Sequence, residues 1–295
     1  IFGENPLLAG LAPYCTLKEM PKRMLREPLA KTNWRELRPA IREPLLERIR
    51  EHFFPTSDAI NIAMAIQNAM FESLRMRNPA SSAERARINR LLTLTGKVSE
   101  TEFLTLESPV AGGMVMAETG LGKTTILKVS LSAIAPEMVI HHGLSEKHDW
   151  ARLLQITYLY VDFPANGTPW ALCLSLAGAI DALLGTEYAK DVARCRNADI
   201  AMFQVCKYIL MHRVGCVVID ESQADSFDEN KGWGSVFIKY FKRLLNFGVP
   251  VVLSGHPDAF AQLRPSGQLG RRFSGIGRFE LVRAIDRSAA WWDTV

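Results

Sequence analysis

Along the first hundred residues, apolar positions recur every three or four residues, the period of an amphipathic helix. From Glu36 to Phe54 they fall at Ile41, Leu45, Leu46, Ile49 and Phe53, with charges between them and Pro44 predicted to dent the helix. A second helix is predicted from Ser57, whose hydroxyl suits a cap, through Ile60, Ala63, Met64, Ile66, Met70 and Leu74 to a stop at Asn78-Pro79. A third begins at Ser82 and carries Leu91 and Leu92. At Gly112 the period changes, because Gly-Met-Val-Met-Ala is a short apolar run leading into a glycine-rich turn and then a helix, Lys123 to Ala135, closed by Pro136. Further apolar runs at Met138–His141, Ile156–Phe163, Cys216–Ile219, Val249–Ser254 and Arg278–Val282 alternate with helical stretches at Trp170–Leu184, Ala198–Arg213, Trp233–Phe247 and Pro257–Leu263. Strands that are apolar throughout and separated by helices predict a parallel sheet covered on both faces. The expected organisation is an all-helical region over residues 1–100 followed by an α/β domain over 101–295.

Composition narrows the class without naming a function. With 48% hydrophobic and 22% charged residues in 295, disordered, collagen-like and disulfide-scaffold chains are excluded. No run reaches the ~18 apolar residues of a membrane-spanning helix, so no membrane partner is expected. Cys15, Cys173, Cys195, Cys206 and Cys216 are scattered and form no CxxC pair, which predicts a reducing, cytoplasmic setting and no zinc site. His141, His142 and His148 lack carboxylate or cysteine partners at ligand spacing, and no metal is expected on them. The net charge of +4 permits a polyanionic partner without requiring one.

The chemistry is concentrated after Gly112. Ala117-Glu118-Thr119-Gly120-Leu121-Gly122-Lys123-Thr124, with Thr125 after it, fits the phosphate-binding loop except that alanine stands at the pattern's first glycine. Gly120 and Gly122 let successive N–H groups turn toward phosphate oxygens, and the helix that follows adds the positive end of its dipole. Lys123 supplies a mobile charge for the β and γ phosphates, and Thr124 a hydroxyl for Mg²⁺. Cys216-Val217-Val218-Ile219-Asp220-Glu221 is a buried strand ending in two carboxylates, the form of a Walker B segment. In that reading Asp220 holds Mg²⁺ and Glu221 orients and polarises the attacking water. The strand Val249 to Ser254 ends in Gly255-His256-Pro257, where Ser254 or His256 can sense the γ-phosphate, His256 being better placed past the strand end. Arg271 and Arg272 are candidates for a guanidinium delivered to a neighbouring subunit's nucleotide.

With these residues in place the chain resembles an AAA+ ATPase, and within that class the TnsC/TniB family of transposition regulators carried by Tn-seven-like elements, CRISPR-associated ones included. Glu4-Asn5-Pro6-Leu7-Leu8 is similar to that family's N-terminal segment, and His52 to Pro79 to the helix leading to its Arg-Asn-Pro element. Tyr160-Val161-Asp162 with Asn166-Gly167-Thr168 resembles the strand and loop after the first helix pair. Val218-Ile219-Asp220-Glu221 with Gln223 matches the family's Walker B form, and Val249 to Leu253 with Gly255 and Pro257 its sensor strand. His256 departs from the threonine or asparagine of relatives. The chain also stops at Val295, about where a helical lid would begin, so a largely absent lid is expected.

The resemblance implies an ATP- and Mg²⁺-dependent, bacterial, DNA-associated regulator. Such proteins assemble head to tail on double-stranded DNA as rings or helical filaments, then recruit transposase subunits to a site marked by a target selector. That selector is a TniQ- or TnsD-like protein or an RNA-guided complex, and hydrolysis takes the assembly apart. DNA is held through phosphates, for which Lys147, Arg152, Lys231 and Lys239 are the candidates. Two other functions are carried alongside. A helicase-loader or initiator-type AAA+ ATPase shares the fold but lacks so long a helical front. A small-molecule phosphotransferase shares the loop, but the Asp220-Glu221 pair suits water attack instead.

Overall fold

The computed structural model describes residues 5–28, 33–93, 106, 110–144, 150–222, 234–260 and 267–282. Short helices α1 (Pro6–Ala9) and α2 (Met20–Met24) open the chain, and α3 (Pro39–Glu47) contains Pro44 before a 3₁₀ turn over Arg48–Glu51 ends it. The long helix α4 (Ser57–Met76) is capped by Thr56, whose hydroxyl accepts the Ala59 N–H at 3.3 Å, so Ser57 is the first helical residue and not the cap. After α5 (Ser82–Thr93) come strand β1 (Gly113–Ala117) and helix α6 (Lys123–Ile134).

Strands β2 (Met138–Leu144) and β3 (Trp150–Ile156) pair antiparallel, Met138 opposite Ile156, as a sheet of their own. The Met138–His141 run was expected in the parallel sheet. It lies outside because β2 bonds to β3 in a hairpin, with Ile140 and His142 exposed, and to no strand of the main sheet among the described residues. Thr157 separates β3 from β4 (Tyr158–Asp162), its hydroxyl donating to the Pro136 and Glu137 carbonyls.

Helix α7 (Pro169–Leu184) starts from a Thr168 cap with proline at its first turn and ends on Gly185 at φ 68°. Helices α8 (Tyr188–Ala193) and α9 (Ala198–Met211) lead to β5 (Cys216–Ser222), then α10 (Gly234–Asn246), β6 (Val251–Gly255), α11 (Gly267–Phe273) and β7 (Gly277–Leu281). The segment from Pro257 expected as a helix is a single 3₁₀ turn to Phe260. None of the described helices is long and apolar enough to cross a membrane.

The main sheet has the order β4-β5-β6-β1-β7 with every neighbouring pair parallel. Strand alternation divides its side chains between two cores. Met114, Met116, Val217, Ile219, Val251 and Leu253 pack with α7, α9 and α10. Val115, Ala117, Cys216, Val218 and Val252 pack with α6 and with α4, through Ile62, Ile66, Met70 and Leu74. The N-terminal helices therefore cover one face of the sheet and share its core.

A buried polar cluster pins them there. Arg77, at the end of α4, donates from Nη2 to the Val214 carbonyl and to the Ser73 hydroxyl, both at 2.6 Å, and Ser73 donates onward to Gly248 O at 2.7 Å. Burial, with the Arg87 charge nearby, pushes the Arg77 pKa down to about 9. On α5, Glu84 takes two bonds from Arg87 at 2.6 and 2.9 Å and a third from Arg213 at 3.1 Å, and Arg87 reaches Phe247 O at 3.3 Å. These bonds satisfy the chain turns just before β5 and β6, which is what the Arg77-Asn78-Pro79 segment accomplishes in this fold.

Candidate nucleotide site

The loop between β1 and α6 has the backbone its sequence requires. Gly120 and Gly122 sit at φ 86° and 81°, the left-handed region that disfavours a side chain, and no atom lies within 4 Å of where a Cβ would stand on either. Gly122 also stands at the start of α6 without a side-chain cap, so the first-turn N–H groups of Lys123, Thr124 and Thr125 face the loop. The Lys123 ammonium donates to the Ala117 and Glu118 carbonyls at 2.8 and 3.0 Å. An open glycine cradle, a twelve-residue helix start and a lysine folded over the loop suit the phosphates of a nucleotide.

The sheet order brings the second element to this loop. Because β6 lies between β1 and β5, the tip of β5 comes within reach of α6 from across the sensor strand. The Thr124 hydroxyl donates to Asp220 Oδ2 at 2.6 Å. Tyr160, two positions short of Asp162 on β4, donates its phenol to the same oxygen, and the Glu221 N–H donates to Oδ1 at 2.9 Å. Burial raises the Asp220 pKa, but the hydroxyls of Ser254, Thr124 and Tyr160 and the Glu221 amide outweigh it and hold the carboxyl below the usual range. Ser254 sits beside Asp220 without completing a hydrogen bond of good geometry. An ionised, hydroxyl-ringed Asp220 next to Thr124 is a donor set for a hard divalent cation, which Mg²⁺ fits.

Glu221 is exposed, and its φ of 57° falls where the β5–β6 register slips between Ile219 and Ser222. Left-handed backbone at a non-glycine costs ~1–3 kcal/mol, and here it turns Glu221 out of the strand at the mouth of the site. Gly255 of β6 packs so tightly against this slip that a Cβ would meet the Ser222 carbonyl at 2.3 Å.

The remaining candidates separate. His256 is exposed and turned to its own turn, Nδ1 lying 3.1 Å from Asp258 Oδ2, so the β6 side chain beside Asp220 is Ser254. Arg272 is bound within the chain, donating to the Asn246 side chain, while its carbonyl accepts the Gly112 N–H at 2.8 Å. Arg271 is exposed on the same helix. Arg152 and Lys239 are exposed on β3 and α10, away from the loop. Lys147, Lys231, Glu4, Gln223 and His148 lie outside the described residues. Sequence reasoning gave no role to Tyr160; its signal was the two-residue alternation that places it on the Asp220 face of neighbouring β4. A cavity of about 510 Å³ between α4 and the segment before β7, lined by Asn61, Met64, Asn68, Val110 and Ile276, contains none of these residues.

A parallel sheet with a glycine loop and lysine after β1, an acidic tip on β5 and a polar strand between them defines a P-loop nucleoside triphosphatase. The AAA-domain family matches residues 111–263, just over half of the chain, and the protein belongs to that family. The match spans β1 through β6 and leaves out the N-terminal helices and α11. No curated protein matches the chain. Similar solved structures include the ORC1 protein of Aeropyrum pernix in complex with DNA, at 16% identity and a TM-score of 0.39, covering 67% of this chain and 44% of that one. Others are the ORC2 protein of the same organism with ADPNP and ADP (17%, TM-score 0.33, 70% and 48%) and Cdc6p of Pyrobaculum aerophilum (14%, 0.35, 69% and 48%). The chain thus spans less than half the length of each.

Proposed function

We propose that this chain is an ATP-controlled assembly switch on double-stranded DNA, and that its job is to link target-site choice to transposase recruitment. The 2.6 Å contact between Thr124 and Asp220 carries the ATPase part, because it joins the two elements that must act on one nucleotide. In this reading the loop amides and Lys123 bind the phosphates, while Thr124 and Asp220 would hold Mg²⁺, which when bound would supply positive charge beside the phosphates. Glu221 orients a water and accepts its proton as the oxygen bonds the γ-phosphorus and the bond to ADP breaks. Of the two sensor candidates, Ser254 is the one beside Asp220, and this reading gives it the role. Arg271, exposed on α11, and Arg272, held by Asn246, are both candidates to reach a neighbouring copy.

The transposition role, with its transposase and target-selector partners, rests on the TnsC/TniB resemblance of the quoted segments. The division at about residue 100 rests on the change of apolar period at Gly112, although the helices and the sheet share a core. The initiator-type reading is the second. The neighbouring solved structures bear initiator names, at a similarity that shows no more than the fold.

The test is ATP binding and turnover with and without duplex DNA, followed by electron microscopy with a slowly hydrolysed ATP analogue. Lys123→Ala is expected to lose ATP binding by ~100-fold or more. Nucleotide-dependent rings or filaments around DNA support the assembly switch, and stimulation of turnover by a transposase separates the regulator from an initiator. DNA that changes neither binding nor turnover removes both readings.

A further inference from the structure

A basic cavity lies at the other end of the sheet from the nucleotide loop. Asp220 stands near the C-terminal tip of β5, whereas Arg213 precedes its first residue, Cys216. Seven strand residues at ~3.3 Å each put on the order of 20 Å between those ends. There a cavity of about 240 Å³ is lined by Arg85, Ile88 and Asn89 of α5, Arg152 and Leu153 of β3, and Arg213. The Arg213 side chain is 7% exposed and bonds Glu84 through Nη1, yet its Nε has no hydrogen-bond partner among the described residues. Its φ of 55° closes α9 in a left-handed cap, the Val214 N–H donating to Ile209 O at 3.1 Å and the Arg213 N–H to Leu210 O at 3.2 Å, which fixes where the side chain leaves the helix.

Charge sharpens the point. Among the described residues, Glu84 is shared by the buried guanidiniums of Arg87 and Arg213, while buried Arg77 has hydroxyl and carbonyl acceptors. Among the described residues, neither Arg85 nor Arg152 forms an ion pair. A buried donor without an acceptor is destabilising, and buried positive charge adds to that. A multiply charged oxyanion relieves both at once, and guanidinium forks match the oxygens of phosphate better than a lone ammonium does.

We propose that this cavity is a phosphate-binding site, separate from the nucleotide loop, in which Arg85, Arg152 and the Nε of Arg213 take the phosphate oxygens. The phosphate comes either from a nucleic-acid backbone or from a free phosphorylated molecule. The site does not depend on the function proposed above, because it is tested with the nucleotide loop disabled.

The experiment is calorimetric titration of the full chain carrying Lys123→Ala with inorganic phosphate, then of the same protein with Arg85→Gln, Arg152→Gln or both. Both side chains reach solvent, so the fold should survive; Arg213→Gln is read only where circular dichroism stays native. Saturable binding that weakens about tenfold with each of Arg85→Gln and Arg152→Gln is expected, the equivalent of one charge-assisted bond. Displacement of phosphate by a short duplex assigns the source to a DNA backbone, and its failure with phosphate still bound assigns a free anion. No saturable binding to the Lys123→Ala protein, or equal binding after both arginines are changed, overturns the proposal.

Discussion

Two buried polar clusters among the described residues sit at opposite ends of one sheet and are built on opposite charges. At the C-terminal tips, Asp220 is a single carboxylate ringed by neutral donors: the hydroxyls of Thr124 and Tyr160 and the Glu221 amide. At the N-terminal ends, Glu84 is a single carboxylate between two of three buried guanidiniums, and the arginines also bind the carbonyls of Val214 and Phe247. A neutral hydroxyl can leave its acceptor for ~1 kcal/mol, while a buried guanidinium that loses its carboxylate remains as an uncompensated charge. The nucleotide end is therefore free to exchange partners and the junction is not. That asymmetry suits an ATPase whose loop must open and close on a fixed helical base.

The largest effect expected from breaking this comparison is at the junction. Glu84→Gln keeps the shape but removes the charge between Arg87 and Arg213, and it should cost about 3–5 kcal/mol in urea unfolding. A loss below ~1 kcal/mol would mean that the cluster is solvated and does not pin the helices. At the other end, Glu221→Gln should leave the fold and ATP affinity intact while lowering phosphate release about 100-fold. Unchanged turnover would remove Glu221 from the reaction. Between these lies Tyr160→Phe, which deletes one neutral donor to Asp220 and should cost about 1 kcal/mol of stability, with a smaller drop in turnover than Glu221→Gln. If Tyr160→Phe proved as damaging to turnover as Glu221→Gln, the donors around Asp220 would not be exchangeable.

The loop and the acidic strand were legible because each is contiguous: Ala117 to Thr125 and Cys216 to Glu221 write their backbone and chemistry into adjacent residues. The parallel sheet followed from the apolar runs of β1, β5 and β6 between helices, whereas the edge strands β4 and β7 alternate in burial, and the long helix followed from the spacing of Ile66, Met70 and Leu74. What the sequence hid depends on contacts between distant residues. The β2–β3 hairpin was missed because Trp150 to Ile156 reads as neither a clean alternation nor an apolar run. Thr56 and Ser57 are equivalent caps on paper, and only the backbone turn chooses Thr56. His256 has the more chemically versatile side chain, yet alternation along β6 aims Ser254 at Asp220. Nothing local to Arg77, Glu84 or Arg213 reveals that they gather beneath the starts of β5 and β6.

The smallest effect tests the junction by pH. His212, next to Arg213, pairs its Nε2 with the Tyr188 phenol at 2.9 Å, and Tyr188 stacks on Tyr208. Burial, and then the Arg213 charge, lower the His212 pKa, so the folded protein holds this imidazole neutral to a lower pH than the unfolded chain does. The unfolded state then binds more protons once the pH drops below about 6.5, and linkage makes the sign definite. The His212 contribution is fully present above that value and is lost as the pH falls from there through the folded pKa. Urea midpoints taken across this window should decline in the wild type and decline less in His212→Asn. Equal slopes in the two would place the acid sensitivity elsewhere, and a rise in wild-type stability on acidification would mean that the imidazole gains a carboxylate partner on protonation, contrary to an environment dominated by arginine.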